Sequence, residues 1–354
     1  MTAPTTDSVM YQTMHRQPSD LRGLLETGWG PAEEAAQRLA SASRVYVVGI
    51  GTSYHAALVG AWLLRAAGSD ARAISSFDFG TYPDAADLTP DDAVVVMAHS
   101  GVKTYSTTSL VRASTLGATR ISIGSLTAVH EGSQQVLRTV ERERSAAFTA
   151  SHLAAMAVLA QIATVLGETR GGRTAGFRDA LQRLPDQVAE VLSREDDVAP
   201  IAREAATRRV YAVGAGPNEA TATEAVIKVR EAAQGWIDGL AIEQFLHGPI
   251  VSVNAGDMAV VVNMPGRAAE RVGEITRVLA AVGARVWLIG QGVEGLSEPT
   301  VFPLPAVPEL LSPLLAVVPV QLLAYHMAVV KGINPDLFRR DEEPYATAFK
   351  LLTL

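Results

Sequence analysis

The chain has 354 residues, more than a typical domain of roughly 100–200 residues holds, which argues for two domains. Apolar residues make up 48% and charged residues 19%, and 37 acids against 30 bases leave a net charge of −7. This is a globular composition that gives no support for nucleic-acid binding. The lack of cysteine excludes disulfides, thiolate nucleophiles and Cys-ligated zinc.

The opening MTAPTTDSVMYQTMHRQPSD has no apolar core of the kind an export signal requires, so cytoplasmic residence is the expectation. From there on, short β-branched runs alternate with helix-like stretches, the pattern of parallel sheets covered by helices on both faces. Strands are predicted at Arg44–Gly49, Ala71–Ser76, Ala93–Ala98 and Thr119–Gly124, with a weaker one at Gln135–Val140. Helices are predicted at Tyr54–Ala67 and Ala147–Leu166. A polar, glycine-containing stretch at Glu168–Thr174 marks the expected boundary, giving domains 1–170 and 171–354. Further strands follow at Arg209–Gly214, Met258–Asn263, Arg285–Gly290 and Thr300–Leu304, with a helix at Glu219–Ala233. Leu310 to Val330 runs 21 residues without Asp, Glu, Lys or Arg, long enough to span a bilayer. Pro313, Pro319, Gln321, Tyr325 and His326 interrupt it, and a buried core or interface helix explains the composition better.

The two halves repeat each other. RVYVVGIGTSYHAA at 44–57 matches RVYAVGAGPNEATA at 209–222, an offset of 165 residues. In each copy a buried strand leads through glycines into a helix, which argues for duplication of one α/β unit.

Ligands of open α/β sheets sit at the carboxyl ends of the strands, so the loops there carry the candidates. Gly51, Thr52 and Ser53 follow a strand and open a helix, where backbone N–H groups and hydroxyls can cradle an anion. A dinucleotide site fits poorly: Tyr54 stands where a third glycine is required and no acid ends the next strand. The loop Ala98-His99-Ser100-Gly101-Val102-Lys103-Thr104 combines hydroxyl donors with one cation and suits a phosphate. The ordinary alternative is a helix N-cap beside a solvated lysine.

Acid–base candidates lie in the second half. Glu224, Lys228 and Glu231 share one helix face by their i, i+4, i+7 spacing, although a solvated ladder of ion pairs has the same spacing. His247, beside a Gly-Pro turn, can work as acid or base near neutral pH. No histidine falls in an H-x-x-x-H or H-E-x-x-H pair, so neither a metal nor another cofactor is expected.

These residues resemble the SIS (sugar isomerase) family, and within it the isomerase half of glucosamine-6-phosphate synthases. The resemblance rests on Met14-x-Arg16-Gln17-Pro18, G-T-S-Y-H-A at 51–56, H-S-G at 99–101 and A-F-T at 147–149. It continues through E-A-V-I-K-V-R-E at 224–231, F-L-H-G-P at 245–249 and A-Y-H-M-A-V-V-K-G at 324–332. It implies two tandem SIS domains, each a parallel sheet flanked by helices in a flavodoxin-like three-layer arrangement. By the resemblance, the loops at 51–53 and 98–104 hold a hexose phosphate and Glu231 shuttles a proton between C1 and C2 of the open-chain sugar. Lys228 lies beside that glutamate, and His247 assists ring opening in the site of a neighbouring subunit, which implies a homodimer.

Three departures stand out. The family's S-Q-S-G-x-T loop has lost a serine, His99 replaces its glutamine, and Lys103 falls where a threonine is expected. The family's C-terminal lysine has no counterpart in NPDLFRRDEEPYA at 334–346, where Glu343 lies near its position. A glutaminase domain with its N-terminal cysteine is missing from this sequence. The expected activity is therefore that of a phosphosugar isomerase or amino-sugar-phosphate deaminase, with no membrane or nucleic-acid partner. A deglycase of amine-linked fructose 6-phosphate and a non-catalytic sugar-phosphate sensor are the alternatives.

Overall fold

The computed structural model describes residues 7–101, 103–297 and 299–352; Val102 of the predicted anion loop and the first six residues lie outside them. Helices α1 (Val9–Thr27) and α2 (Trp29–Ala40) precede a first α/β layer. It contains β1 (Val45–Gly49), α3 (Thr52–Ala66), β2 (Ala71–Ser75), α4 (Ser76–Thr81), β3 (Ala93–Met97), α5 (Thr104–Thr115), β4 (Thr119–Gly124), β5 (Gln135–Arg138) and α6 (Ala150–Arg170). Helices α7 (Phe177–Ser193) and α8 (Glu195–Ala205) lead to the second layer. There β6 (Val210–Gly214), α9 (Glu219–Ala233), β7 (Ile237–Ala241), α10 (Ile242–Leu246), β8 (Met258–Asn263), α11 (Ala269–Val282), β9 (Arg285–Gly290), β10 (Thr300–Phe302) and α12 (Ser312–Lys331) follow. A short α13 (Tyr345–Ala348) closes the chain.

Two compact units result, one of residues 16–144, 148–185 and 339–352, the other of 7–15, 145–147 and 186–338. The first contains a parallel sheet of order β2-β1-β3-β4-β5, the second one of order β7-β6-β8-β9-β10. Position for position these are the same sheet. All five residues of β1, β3 and β6 are buried, as parallel strands covered on both faces require. Every predicted strand is present with its ends within two residues, and β10 stops at Phe302, before Pro303, which cannot donate to a ladder. Strand β7 was not predicted.

The repeated RVYxVGxG has the same structural reasons in both units. A Cβ at Gly49 or at Gly214 would strike the returning backbone at Ser53 or Asn218, and the second glycine of each turn has positive φ, 59° at Gly51 and 55° at Gly216. The leading arginine is also repeated as a clasp at the foot of the sheet. Arg44 holds the Asp92 carboxylate at 2.8 and 2.9 Å, and Arg209 reaches Asp257 at 3.4 Å. Each aspartate accepts a backbone N–H three residues earlier, from Thr89 and Asn254, both at 2.8 Å.

Helix α6 and the segment Glu309–Lys331 are long and apolar enough to cross a membrane, but 89% and 83% of their apolar windows are buried within the protein. The apolar 310–330 run is thus a core helix, packed against α8 and α9.

Candidate functional site

At the carboxyl ends of β1, β2 and β3 the first unit holds a cavity of about 300 Å³. The strand order reverses between β1 and β3, and that switch is where ligands of open α/β sheets bind. The predicted Ser53, His99, Ser100, Lys103 and Thr104 all line the cavity. Thr52 sits next to it and, with Ser53 and His99, lines a smaller cavity of about 10 Å³, room for about one water. Gly51 serves through its backbone, shaping the turn that starts α3.

Lys103 is exposed and takes the N-cap position of α5, its N–H donating to Ser106 Oγ at 2.8 Å. The N-cap alternative and the anion site therefore coincide: the cap turns the start of α5 and its lysine toward the same cavity. Ser76, the first residue of α4, also lines the cavity. Its side chain is buried, and its Oγ has no partner among the described residues. Ser76 is hidden from sequence as a binding residue because it falls at the end of the predicted second strand, Ala71–Ser76, whereas it opens α4.

His99 is buried and accepts the Glu143 N–H at Nε2, 3.2 Å away. Burial, reinforced by the positive charge of Arg142, pushes its pKa down to about 4, so the ring is neutral at physiological pH. The lost glutamine of the family loop is thus replaced by an uncharged imidazole.

In the second unit α9 brings Glu224, Lys228 and Glu231 together. Lys228 Nζ lies 2.6 Å from Glu231 Oε2 and 3.6 Å from Glu224 Oε1. This is not a solvated ladder: the side chains of Lys228 and Glu224 are 0% and 1% exposed, while that of Glu231 is 24% exposed. Two carboxylates therefore share one ammonium, and Glu231 offers the accessible oxygen. The 165-residue offset sets Val59, Leu63 and Ala66 of α3 at the corresponding positions, all apolar and buried. The fold of this unit is satisfied there by hydrocarbon. Charge at these places in α9 costs desolvation that packing alone does not call for.

His247 caps the C-terminus of α10 with its side chain 78% exposed, 3.5 Å from Glu243 Oε2. Glu243 is itself taken by Arg271 at 2.6 and 3.1 Å. Lys228 pairs with the two carboxylates of its own helix, whereas His247 pairs with Glu243. Glu343, near the position of the family lysine, accepts a hydrogen bond from the Thr347 hydroxyl at 2.9 Å. Among the described residues no group of three or more His, Asp or Glu is placed to hold a metal.

Residues 38–165 match the SIS domain family, and the chain carries that domain. Over 333 residues it is 28% identical to the glutamine--fructose-6-phosphate aminotransferase [isomerizing] of Pyrococcus horikoshii, covering 92% of this chain and 56% of the relative. The chain thus spans little more than half the length of that relative. Among solved structures, the C-terminal domain of glucosamine-fructose-6-phosphate aminotransferase from Francisella tularensis superposes with a TM-score of 0.84 at 18% identity, covering 93% of this chain and 98% of that one. Glucosamine-6-phosphate deaminase from Thermotoga maritima gives 0.73 at 20% identity, covering 93% and 97%. The fold is accordingly that of two tandem SIS domains.

Proposed function

We propose that this SIS-domain chain binds a hexose 6-phosphate and catalyses isomerisation or deamination at C1–C2 by enolisation, as an enzyme of the sugar-phosphate isomerase and deaminase group. The observation that carries the reading is the charged triad of α9, set where the duplicated helix α3 has only hydrocarbon. In this reading the cavity of the first unit takes the phosphate, with Lys103 supplying charge and Ser53, Ser76, Ser100 and Thr104 supplying hydroxyls.

Enolisation requires one carboxylate that removes a proton from one carbon and returns it to its neighbour. Glu231 takes that part. The proton leaves C2 of the open-chain aldose, or C1 of the ketose; the electron pair of the broken C–H bond forms the C1–C2 double bond while the carbonyl π pair moves onto its oxygen, which takes a proton to give the enediol. The same carbon-bound proton is then returned to the other carbon as the neighbouring hydroxyl gives up its proton and becomes the new carbonyl; with a 2-amino sugar that group is a C2 imine, which water hydrolyses to the ketone with release of ammonia. Lys228 holds the carboxylate in place from the buried side. His247 assists ring opening, and its exposure suits service in a neighbouring subunit of a homodimer.

The test compares wild type with Glu231→Gln by proton NMR in deuterated water and by calorimetric binding of hexose 6-phosphates and their 2-amino forms. Wild type is expected to exchange deuterium at C1 or C2. The variant is expected to lose roughly a thousandfold or more of that rate, at the upper range of single acid–base losses, with ligand affinity within about threefold. Binding without exchange in the wild type would instead mark a sugar-phosphate sensor, and equal loss of exchange and affinity in the variant would remove Glu231 from the chemistry.

A further inference from the structure

We propose that His99 serves the cavity of the first unit as a neutral hydrogen-bond donor, giving its Nδ1–H to an acceptor oxygen of the bound phosphate ester, and that Glu143 is the positioning residue that fixes this tautomer. The inference rests on the reading of that cavity as a sugar-phosphate site.

The tautomer follows from one contact. The partner of His99 Nε2 is the backbone N–H of Glu143, at 3.2 Å, and a backbone N–H can only donate. Nε2 must then present its lone pair, and a neutral imidazole so engaged carries its proton on Nδ1. Protonating the ring would put an N–H on Nε2 facing the Glu143 N–H, so this contact and the burial of the ring both favour the neutral form.

Glu143 is built to hold that N–H in place. Its buried carboxylate accepts the backbone N–H of Thr149 at 2.9 and 3.1 Å, the Thr149 hydroxyl at 3.1 Å and the backbone N–H of Ser151 at 2.6 Å. Those bonds tie residue 143 to the start of α6. The Phe148 ring, in the same short segment, meets His99 edge to face with centroids 5.3 Å apart. The imidazole is thus fixed in position and in proton placement before any ligand arrives.

What the ring still lacks is an acceptor. Nδ1 is buried and has no hydrogen-bond partner among the described residues, and a buried donor left unmade is costly. His99 lines the roughly 300 Å³ cavity together with Ser76, whose buried Oγ is likewise without a partner there. A phosphate ester offers oxygens that only accept, which satisfies both groups. Lys103 then carries the cationic part of the recognition, and His99 contributes direction without charge.

Long-range ¹H–¹⁵N correlation spectra of the histidine-labelled full chain at pH 7.5 read the tautomer directly, before and during titration with inorganic phosphate and fructose 6-phosphate. The expected result is a His99 ring with a protonated Nδ1 and a bare Nε2, whose Nδ1–H resonance shifts as either probe binds. Glu143→Ala is expected to yield a mixture of tautomers, and Glu143→Gln, which keeps an acceptor oxygen, to restore the single form. His99→Asn, which places an N–H near the Nδ1 position, should hold fructose 6-phosphate within about threefold of wild type, while His99→Leu weakens it roughly tenfold, the loss of one hydrogen bond to a charged group. A ring protonated on Nε2, or equal affinity in the Asn and Leu variants, overturns the inference. Phosphate shifting the amides of Ser100 and Lys103 but not the His99 ring overturns it while leaving the cavity reading intact. No response anywhere overturns the cavity reading, and the donor role with it.

Discussion

Two buried histidines of the first unit make its stability depend on acid. His99 and His130 are both pushed down to about 4, in each case first by burial and then by a nearby arginine, Arg142 and Arg138 respectively. Unfolded, both rings take up a proton near pH 6.5; folded, neither does until about pH 4. The unfolded chain therefore binds more protons between those values, and stability present above pH 6.5 is lost as pH falls toward 4, at up to roughly 1.4 kcal/mol per unit and group, about 3 kcal/mol each across the window. The second unit has a cluster of mixed sign. Glu195 is held at about 2 despite burial by hydrogen bonds that His15 and His326 donate to it, so it adds stability that is lost as pH falls from 4.5 toward 2, in the same sense as the buried histidines, while the bond His15 donates raises His15. His15 thus contributes stability that is complete below its unfolded value and fades as pH rises through its folded one. Urea unfolding at pH 7, 5.5 and 4.5 is expected to show a falling midpoint in wild type and a visibly shallower fall in His130→Gln. The same slope in both would remove the buried imidazole as the cause.

At the scale of the element, α9 and the arginine clasps show how duplicated positions diverge. Replacing Lys228 by Leu leaves Glu224 sealed beside Glu231 with their shared ammonium gone, a loss expected to cost about 3–5 kcal/mol. Removing charge from both sealed positions, Glu224→Leu with Lys228→Leu, imitates the apolar face of α3 and is expected to recover most of it. A double-mutant cycle by urea unfolding measures the difference, and strict additivity would mean that the ion pairs are not coupled. The clasps give the milder contrast. Asp92, with its side chain wholly buried, holds Arg44 twice and Thr89 twice. Burial would raise its pKa, but those donors outweigh it and hold the carboxyl below its usual range. Its counterpart Asp257 has one longer arginine contact and a side chain 13% exposed. Asp92→Ala should therefore cost about 2–4 kcal/mol and Asp257→Ala about 1, read as shifts of the unfolding midpoint.

Much of this organisation was legible because buried parallel strands are continuous apolar runs. Strand β7 escaped because IDGLA places Asp238 and Gly239 in an edge strand of low β-propensity. The duplication was its signal: shifting β2 by 165 residues lands on 236–240, one residue short of β7. The binding loops were legible from their hydroxyls and glycines. What no pattern could show was burial. The spacing of Glu224, Lys228 and Glu231 fits a surface ladder as well as a sealed triad, and the hold of Glu143 on His99 joins residues 44 apart in sequence.

Taken as a whole molecule, the chain uses one unit twice for different ends. The first keeps an open, hydroxyl-lined cavity at its strand ends. At the matching turn of the second, Asn218 is consumed internally, donating to Ser312 Oγ at 2.7 Å and accepting from Thr221 at 3.0 Å, and the unit carries the acid–base triad instead. His247 belongs to neither group: it is exposed and lies 3.5 Å from Glu243. If the proposed homodimer completes each site with the partner's histidine, subunits that are inactive for different reasons must rescue each other. Glu231→Gln and His247→Ala chains, each nearly inactive alone, would form mixed dimers in which one of the two sites has both residues intact. Random exchange makes half of all dimers mixed, so about a quarter of wild-type turnover should return after co-refolding. Light scattering on the same samples checks that dimers are present. Dimers without recovered turnover would place His247 in the site of its own chain or outside the reaction, and a monomeric mass would remove the shared site altogether.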